Sequence, residues 1–399
     1  MADIGHTMLV LAPWDDPVPL TRAWCLWEIY STLDAGSKFE VVLSKAEGAK
    51  FRTALLTVGS KAVAKVMAVV DAERAVAFDP EDERRIKTAV KKMPNGFHGL
   101  NVTVNARLRG WALDTAKALC ADSGWTDDPQ MRAMLYNNAG GLLKDAGDTD
   151  GAIELIRKAV AITEEVCGPL HEDTASSHNG LGQVLHDMND LQGAKTRYEH
   201  ALAIREETLG VEHSDTATSY SCLGRLLQQM GDLAGAKARH EQALASDLNN
   251  LGIDHPNTAI TYSNLGIVLS EMGDLNGARS CMEQALLIKV KLLGTEHSST
   301  AISYNSLGQL LQDMGRLDEA LAHSEQALAI FEKTLGTEHQ TTAISYSNLG
   351  ALLFQMQDYG AAVTRLEQAL AIKQKTVGPN HPDSTDIKAA IERARDAMI

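Results

Sequence analysis

No run of apolar residues in this chain approaches the roughly 18 needed to cross a bilayer, so no membrane span is expected. The first residues, MADIGHTMLVLAP, carry no basic stretch ahead of the apolar run, which argues against secretion. The five cysteines (Cys25, Cys120, Cys167, Cys222 and Cys281) are scattered and form no CxxC pair. That excludes a zinc knuckle and points to reduced thiols in the cytoplasm. Basic charge is also short in one part of the chain. Residues 1–127 hold sixteen basic and sixteen acidic residues, so the whole net charge of −15 falls in residues 128–399. A surface so acidic repels phosphate backbones, and nucleic acid is not an expected partner. The five tryptophans, by contrast, all precede residue 127. What is present is ordinary globular material, 44% hydrophobic and 22% charged over 399 residues. That suffices for two or three domains, or one domain and a repeat array. The expected division is 1–127 and 128–399.

The second part is periodic. Gly140, Gly182, Gly224, Gly266, Gly308 and Gly350 are each 42 residues apart, as are Ala152, Ala194, Ala236, Ala278, Ala320 and Ala362. A tyrosine precedes the glycine in five of the six units: Tyr136, Tyr220, Tyr262, Tyr304 and Tyr346, with His178 in the other. Each unit reads as two helices. In the fourth, TAITYSNLGIVLSEM and LNGARSCMEQALLIKVKLL both space their apolar residues helically, with Gly273-Asp274 between them as a stop and a cap. Six mid-helix glycines, each costing about 1 kcal/mol relative to alanine, imply close helix–helix approach. A final helix over 384–398 closes the array, for thirteen helices from residue 129. Two residues past each loop histidine stands a side chain of N-cap type: Asp173, Asp215, Asn257, Ser299, Thr341 and Asp383. These are expected to cap the helices that follow.

Aromatic, Leu-Gly, then paired alanines is the tetratricopeptide (TPR) pattern. The 42-residue period and the signatures EHALAIREETLGVEHSDTA and EQALAIFEKTLGTEHQTTA resemble kinesin light chains. The resemblance covers about residues 129–399. It implies a mainly α fold, a right-handed superhelical solenoid, acting as a non-enzymatic scaffold that binds a protein or peptide partner in its concave groove. Residues 1–127 hold no sustained heptads, which argues against the kinesin heavy chain as partner.

The groove positions lie on the first helices, beside Leu-Gly: Asn137, Asn138, Asn179, Gln183, Arg225, Gln228, Asn264, Asn305, Gln309 and Asn348. An amide carries donors and an acceptor and can pair with an extended backbone. In the family an Asn-Asn pair at this point contacts cargo; Asn137 and Asn138 keep both members. His171, His213, His255, His297, His339 and His381 also step by 42. Packed helices sit roughly 8–10 Å apart, so neighbouring histidines cannot share an ion, and they are assigned to loop structure. No metal or cofactor is expected. The EQAL glutamates (Glu241, Glu283, Glu325, Glu367) have no second titratable partner recurring beside them and read as solvated helix positions or structural pairs, not catalytic acids.

Residues 1–127 read as a small, incomplete α/β segment: strands at 7–12 and 39–43, and helices at 20–34, 46–57, 61–77, 80–92 and 104–121. Strand–helix–strand at this spacing predicts a parallel pair. Trp24-Cys25-Leu26-Trp27-Glu28 resembles the third-helix motif of TIR domains, Ser-x-Trp-Cys-x-x-Glu-Leu, with Arg22 and Ile29 departing from it. This covers residues 5–45, and the first two strands and first helix of that family have no counterpart here. It implies an alternative function, NAD cleavage at Glu28 controlled through the repeats. The preferred reading packs Trp24 and Trp27 on the sheet or the first repeat, with no catalytic residue.

Overall fold

The computed structural model describes residues 6–93, 96–122, 124 and 126–398; Trp125 lies outside them. The chain divides into two compact units, Met1–Thr208 and Leu209–Ile399.

The first unit opens with strand β1 (His6–Val10), a 3-10 turn (Val18–Thr21), helix α1 (Ala23–Asp34) and strand β2 (Lys38–Val42). The strands pair in parallel, Leu9 opposite Val41, with α1 as the crossover. Then come α2 (Lys45–Thr57), α3 (Ser60–Ala68), α4 (Pro80–Lys91) and α5 (Gly96–Ala121). Two corrections arise. Helix α3 is shorter than the pattern predicts because Val76 leaves helical conformation to bridge Arg22; its carbonyl accepts from Ala23 N at 2.9 Å. Helix α5 begins earlier, at Gly96. Of the two tryptophans expected to pack, Trp27 lies against the core of this unit and Trp24 does not. Phe51 packs between Trp14 and Trp111, with ring centroids 5.0 and 5.1 Å away. Trp24 is 38% exposed and donates from its indole to Asp82 on α4.

Two helix pairs complete this unit: α6 (Pro129–Asp145) with α7 (Thr149–Val166), and α8 (Glu172–Asp187) with α9 (Leu191–Thr208). One continuous hydrophobic core runs from Leu9 of β1 to Val184 of α8.

The second unit holds four pairs and a last helix. They are α10 (Ser214–Gln229) with α11 (Leu233–Asn250), α12 (Pro256–Glu271) with α13 (Leu275–Leu293), α14 (Ser298–Asp313) with α15 (Leu317–Thr334), α16 (Gln340–Gln355) with α17 (Tyr359–Thr376), and α18 (Pro382–Asp396). Among the described residues, the region from 129 thus contains the thirteen helices expected, and the fold is a helix-pair solenoid preceded by a two-stranded α/β segment. Second helices run to 18 or 19 residues, which absorbs most of the long repeat.

Each pair is keyed by a glycine. A Cβ on Gly266 would stand 2.9 Å from Met282 Cγ and 3.2 Å from the Ala278 carbonyl, so only hydrogen fits. The knob sixteen residues after the glycine varies: Ile156, Tyr198, His240, Met282, Ser324 and Leu366. The hole is fixed and its filler is free, provided the filler packs.

The helix caps differ from expectation in an instructive way. The loop histidine is itself the N-cap. In all six corners its Nδ1 accepts the backbone N–H two residues on, at 3.1–3.2 Å. Asp173, Asp215, Asn257, Ser299, Thr341 and Asp383 are therefore second residues of the helix, not caps. The next residue, Thr or Ser, donates its hydroxyl to the carbonyl of the loop glycine at 2.8 Å in every corner. Those glycines have φ between +81 and +98. Position decides this: the histidine holds the extended N-cap backbone, whereas the residue two places on already lies in the first turn. His297→Ala should accordingly cost about 1 kcal/mol in chemical denaturation, and Ser299→Ala nearly nothing. The reverse order would restore Ser299 as the cap.

Candidate peptide-binding surface

In the first unit, the sequence-predicted residues Asn137 and Asn138 on α6 and Asn179 and Gln183 on α8 all line one cavity of about 430 Å³. Its other wall is the turn between α2 and α3, Leu56–Gly59. That turn approaches closely: Gly59 has φ +63, and a Cβ there would stand 2.9 Å from Asn138 Oδ1. Asn138 Nδ2 donates to the Leu56 carbonyl at 2.6 Å, so this amide already holds a main chain, its own. The Ser177 hydroxyl donates to the Asp173 carbonyl and accepts from Asn137 Nδ2 at 2.6 Å. This fixes the Asn137 amide with Oδ1 buried and without a partner. Asn179, only 9% exposed, also leaves its Oδ1 unpartnered. Both oxygens are closed off from solvent, so it is the amides' remaining surface that the cavity offers.

In the second unit the predicted residues are less uniform. Arg225 and Gln309 are exposed. Gln228 donates to Glu271 at 2.8 Å, and Asn348 to Asn305 at 3.4 Å, so these amides are partly engaged with one another's repeats. Asn264 lines a pocket of about 260 Å³ with Ile260, Ile267, Met282, Lys289 and Ile302. Ile260, Ile302 and Ile344, again 42 apart, are each about half exposed and form an apolar stripe.

One set of residues escapes sequence reading because it lies on the second helices, where side chains vary. Thr163, Arg205, Asp247, Lys289, Phe331 and Lys373 share one repeat position. Arg205 is buried and forks onto Glu172 at 2.9 and 3.0 Å. Asp247 accepts from Thr261 at 2.7 Å, and burial pushes its carboxyl up. Lys373 bonds Asp383 at 2.6 Å, which holds that carboxyl low. Lys289 bonds the Ser303 hydroxyl at 2.8 Å. The available signal was the repeat column itself, three cations and an acid directly after a column that is isoleucine in five of six repeats.

The tetratricopeptide repeat family profile matches residues 131–207, 215–289, 271–333 and 299–375. The chain is a tetratricopeptide repeat protein. Solved structures similar to it include TPR-like repeats described as kinesin light chain from Podosopora anserina: 27% identity, TM-score 0.48, covering 52% of this chain and 99% of that one. They also include BtubC (BKLC) from P. vanneervenii, at 22% identity and TM-score 0.49, covering 60% and 93% of the two chains. A third is YrrB, described as a TPR protein with an unusual peptide-binding site, at 22% identity and TM-score 0.37, covering 59% and 99%. No curated protein matches the chain. As a member of this family, the TPR protein is a protein-interaction scaffold in architecture.

Glu28, the residue assigned catalysis by the TIR resemblance, is exposed on α1 beside the buried Leu26 and Ile29. Cys167, His171 and Asp173 bring a thiol, an imidazole and a carboxylate within 4.8 Å, but His171 Nδ1 is spent on the cap of α8. Among the described residues, no helix is long and apolar enough to cross a membrane.

Proposed function

We propose that this TPR protein is a non-enzymatic scaffold that binds an extended peptide segment of a partner protein along its first helices. The observation that carries this is the amide cluster of the first unit: Asn137, Asn138, Asn179 and Gln183 around one cavity. The Asn138 bond to the Leu56 carbonyl supports the same reading, because it is an amide holding main chain in the way the groove would hold a partner. In the second unit the ligand would run over Ile260 and Ile302, with Asn264 and Asn348 supplying amides and Arg225 meeting an acidic group.

The test is titration of a partner peptide, captured and mapped with the full chain, against groove variants. Asn264→Ala combined with Asn348→Ala should weaken binding about tenfold or more, at roughly 0.5–1.5 kcal/mol per lost hydrogen bond. Arg225→Glu should abolish binding where Arg225→Gln only weakens it. Unchanged affinity in all three variants would move the site off the first helices.

A further inference from the structure

Arg205, Lys289 and Lys373 are three cations at one repeat position, yet only two have a carboxylate. Arg205 takes Glu172, 33 residues before it, and Lys373 takes Asp383, 10 residues after it. The corresponding residues for Lys289 are Pro256 and Ser299, neither of which carries a charge. Both places from which the chain neutralises this position are thus vacant. What Lys289 has instead is one neutral hydrogen bond, to Ser303, and a pocket walled by Ile260, Ile267, Ile302 and Met282. A half-buried ammonium without a counter-charge is unfavourable, and burial lowers its proton affinity. Asn264 adds an amide donor at the same pocket.

We propose that this pocket is a carboxylate subsite, taking an Asp or Glu side chain of the partner's segment while an aliphatic neighbour of that residue lies on Ile260 and Ile302. The proposal rests on the peptide-binding reading above and names the chemistry of the peptide. An acidic side chain is the choice because the same repeat position is satisfied twice within this chain by Glu172 and Asp383. The remaining surface of residues 128–399 is net acidic and repels such a segment, so its register would be set at Lys289.

The experiment is selection from a phage-displayed random peptide library on the full chain and on Lys289→Met. The wild-type chain should enrich Asp or Glu next to Leu, Ile, Val or Met; the variant should lose the acidic preference. The best acidic peptide should bind the variant about tenfold or more weakly, and its Gln or Asn analogue should not distinguish the two proteins. Ser299→Asp installs the missing carboxylate and should remove the acidic preference as well. It should also raise the melting temperature more with Lys289 present than in Lys289→Met, which separates pairing from a general effect of an acid at a helix start. Acidic enrichment that is absent, or that persists on Lys289→Met, overturns the proposal, as does binding that vanishes when only the peptide's terminal carboxylate is amidated. If peptides are selected but ignore Asn264→Ala, Asn348→Ala and Arg225→Glu, the groove reading itself fails. If no peptide is enriched at all, both fail.

Discussion

Gly266→Leu is expected to destabilise the second unit by roughly 3 kcal/mol or more. The first added carbon would already collide with Met282 Cγ at 2.9 Å, and the Ala278 carbonyl at 3.2 Å is backbone that no rotamer change can clear. Relief therefore requires α12 and α13 to separate, which exposes Leu265, Leu269 and Met282 of their shared core. Ser270→Leu, one helical turn on, should be mild. Position 270 is only half-buried, and its equivalent in a later repeat is Phe354, so the site accommodates larger apolar groups. Denaturant midpoints of the two variants, followed by circular dichroism, make the comparison. Similar losses at both positions would show that the assigned helix faces are wrong.

His240 should make the protein acid-sensitive. Its side chain is fully buried against Gly224, and neither ring nitrogen has a partner. Burial, with a smaller contribution from Arg225, pushes the imidazole from 6.5 down to about 4. An unfolded chain takes up the proton near 6.5, whereas the folded chain refuses it until about 4. The stability associated with this group is thus complete above the ordinary imidazole value, declines as pH falls through that window, and levels off below it. At about 1.4 kcal/mol per pH unit the loss reaches roughly 3 kcal/mol. His240→Met, which copies the knob at Met282, should flatten this part of the stability–pH curve. At neutral pH it should also stabilise by about 1–3 kcal/mol, because two unsatisfied buried nitrogens are removed. An unchanged acid slope in the variant would mean that His240 is hydrated or paired in solution.

The helix pairs were legible in the chain because their determinants are local and recur in register. Apolar residues at helical spacing, Gly273-Asp274 and its counterparts, and a small residue wherever two helices touch all repeat at 42, so each unit corroborates the next. The parallel pairing of 6–10 with 38–42 was legible for a similar reason, a helix of the right length between two apolar runs. What the chain could not disclose was anything decided between residues distant in sequence. Whether Trp24 is buried depends on α4 offering Asp82. Asn138 looked like a free groove amide, yet the fold brings Leu56 within 2.6 Å of it. The position of Lys289 shows only in the packing: Pro256 and Ser299 stand at the repeat positions where Arg205 and Lys373 find their carboxylates. Periodicity by itself determined the helix-pair solenoid, because helix formation and small-residue contact are short-range. The charge balance of the pockets was decided by tertiary structure, because desolvation and pairing depend on which side chains the finished stack places around each group.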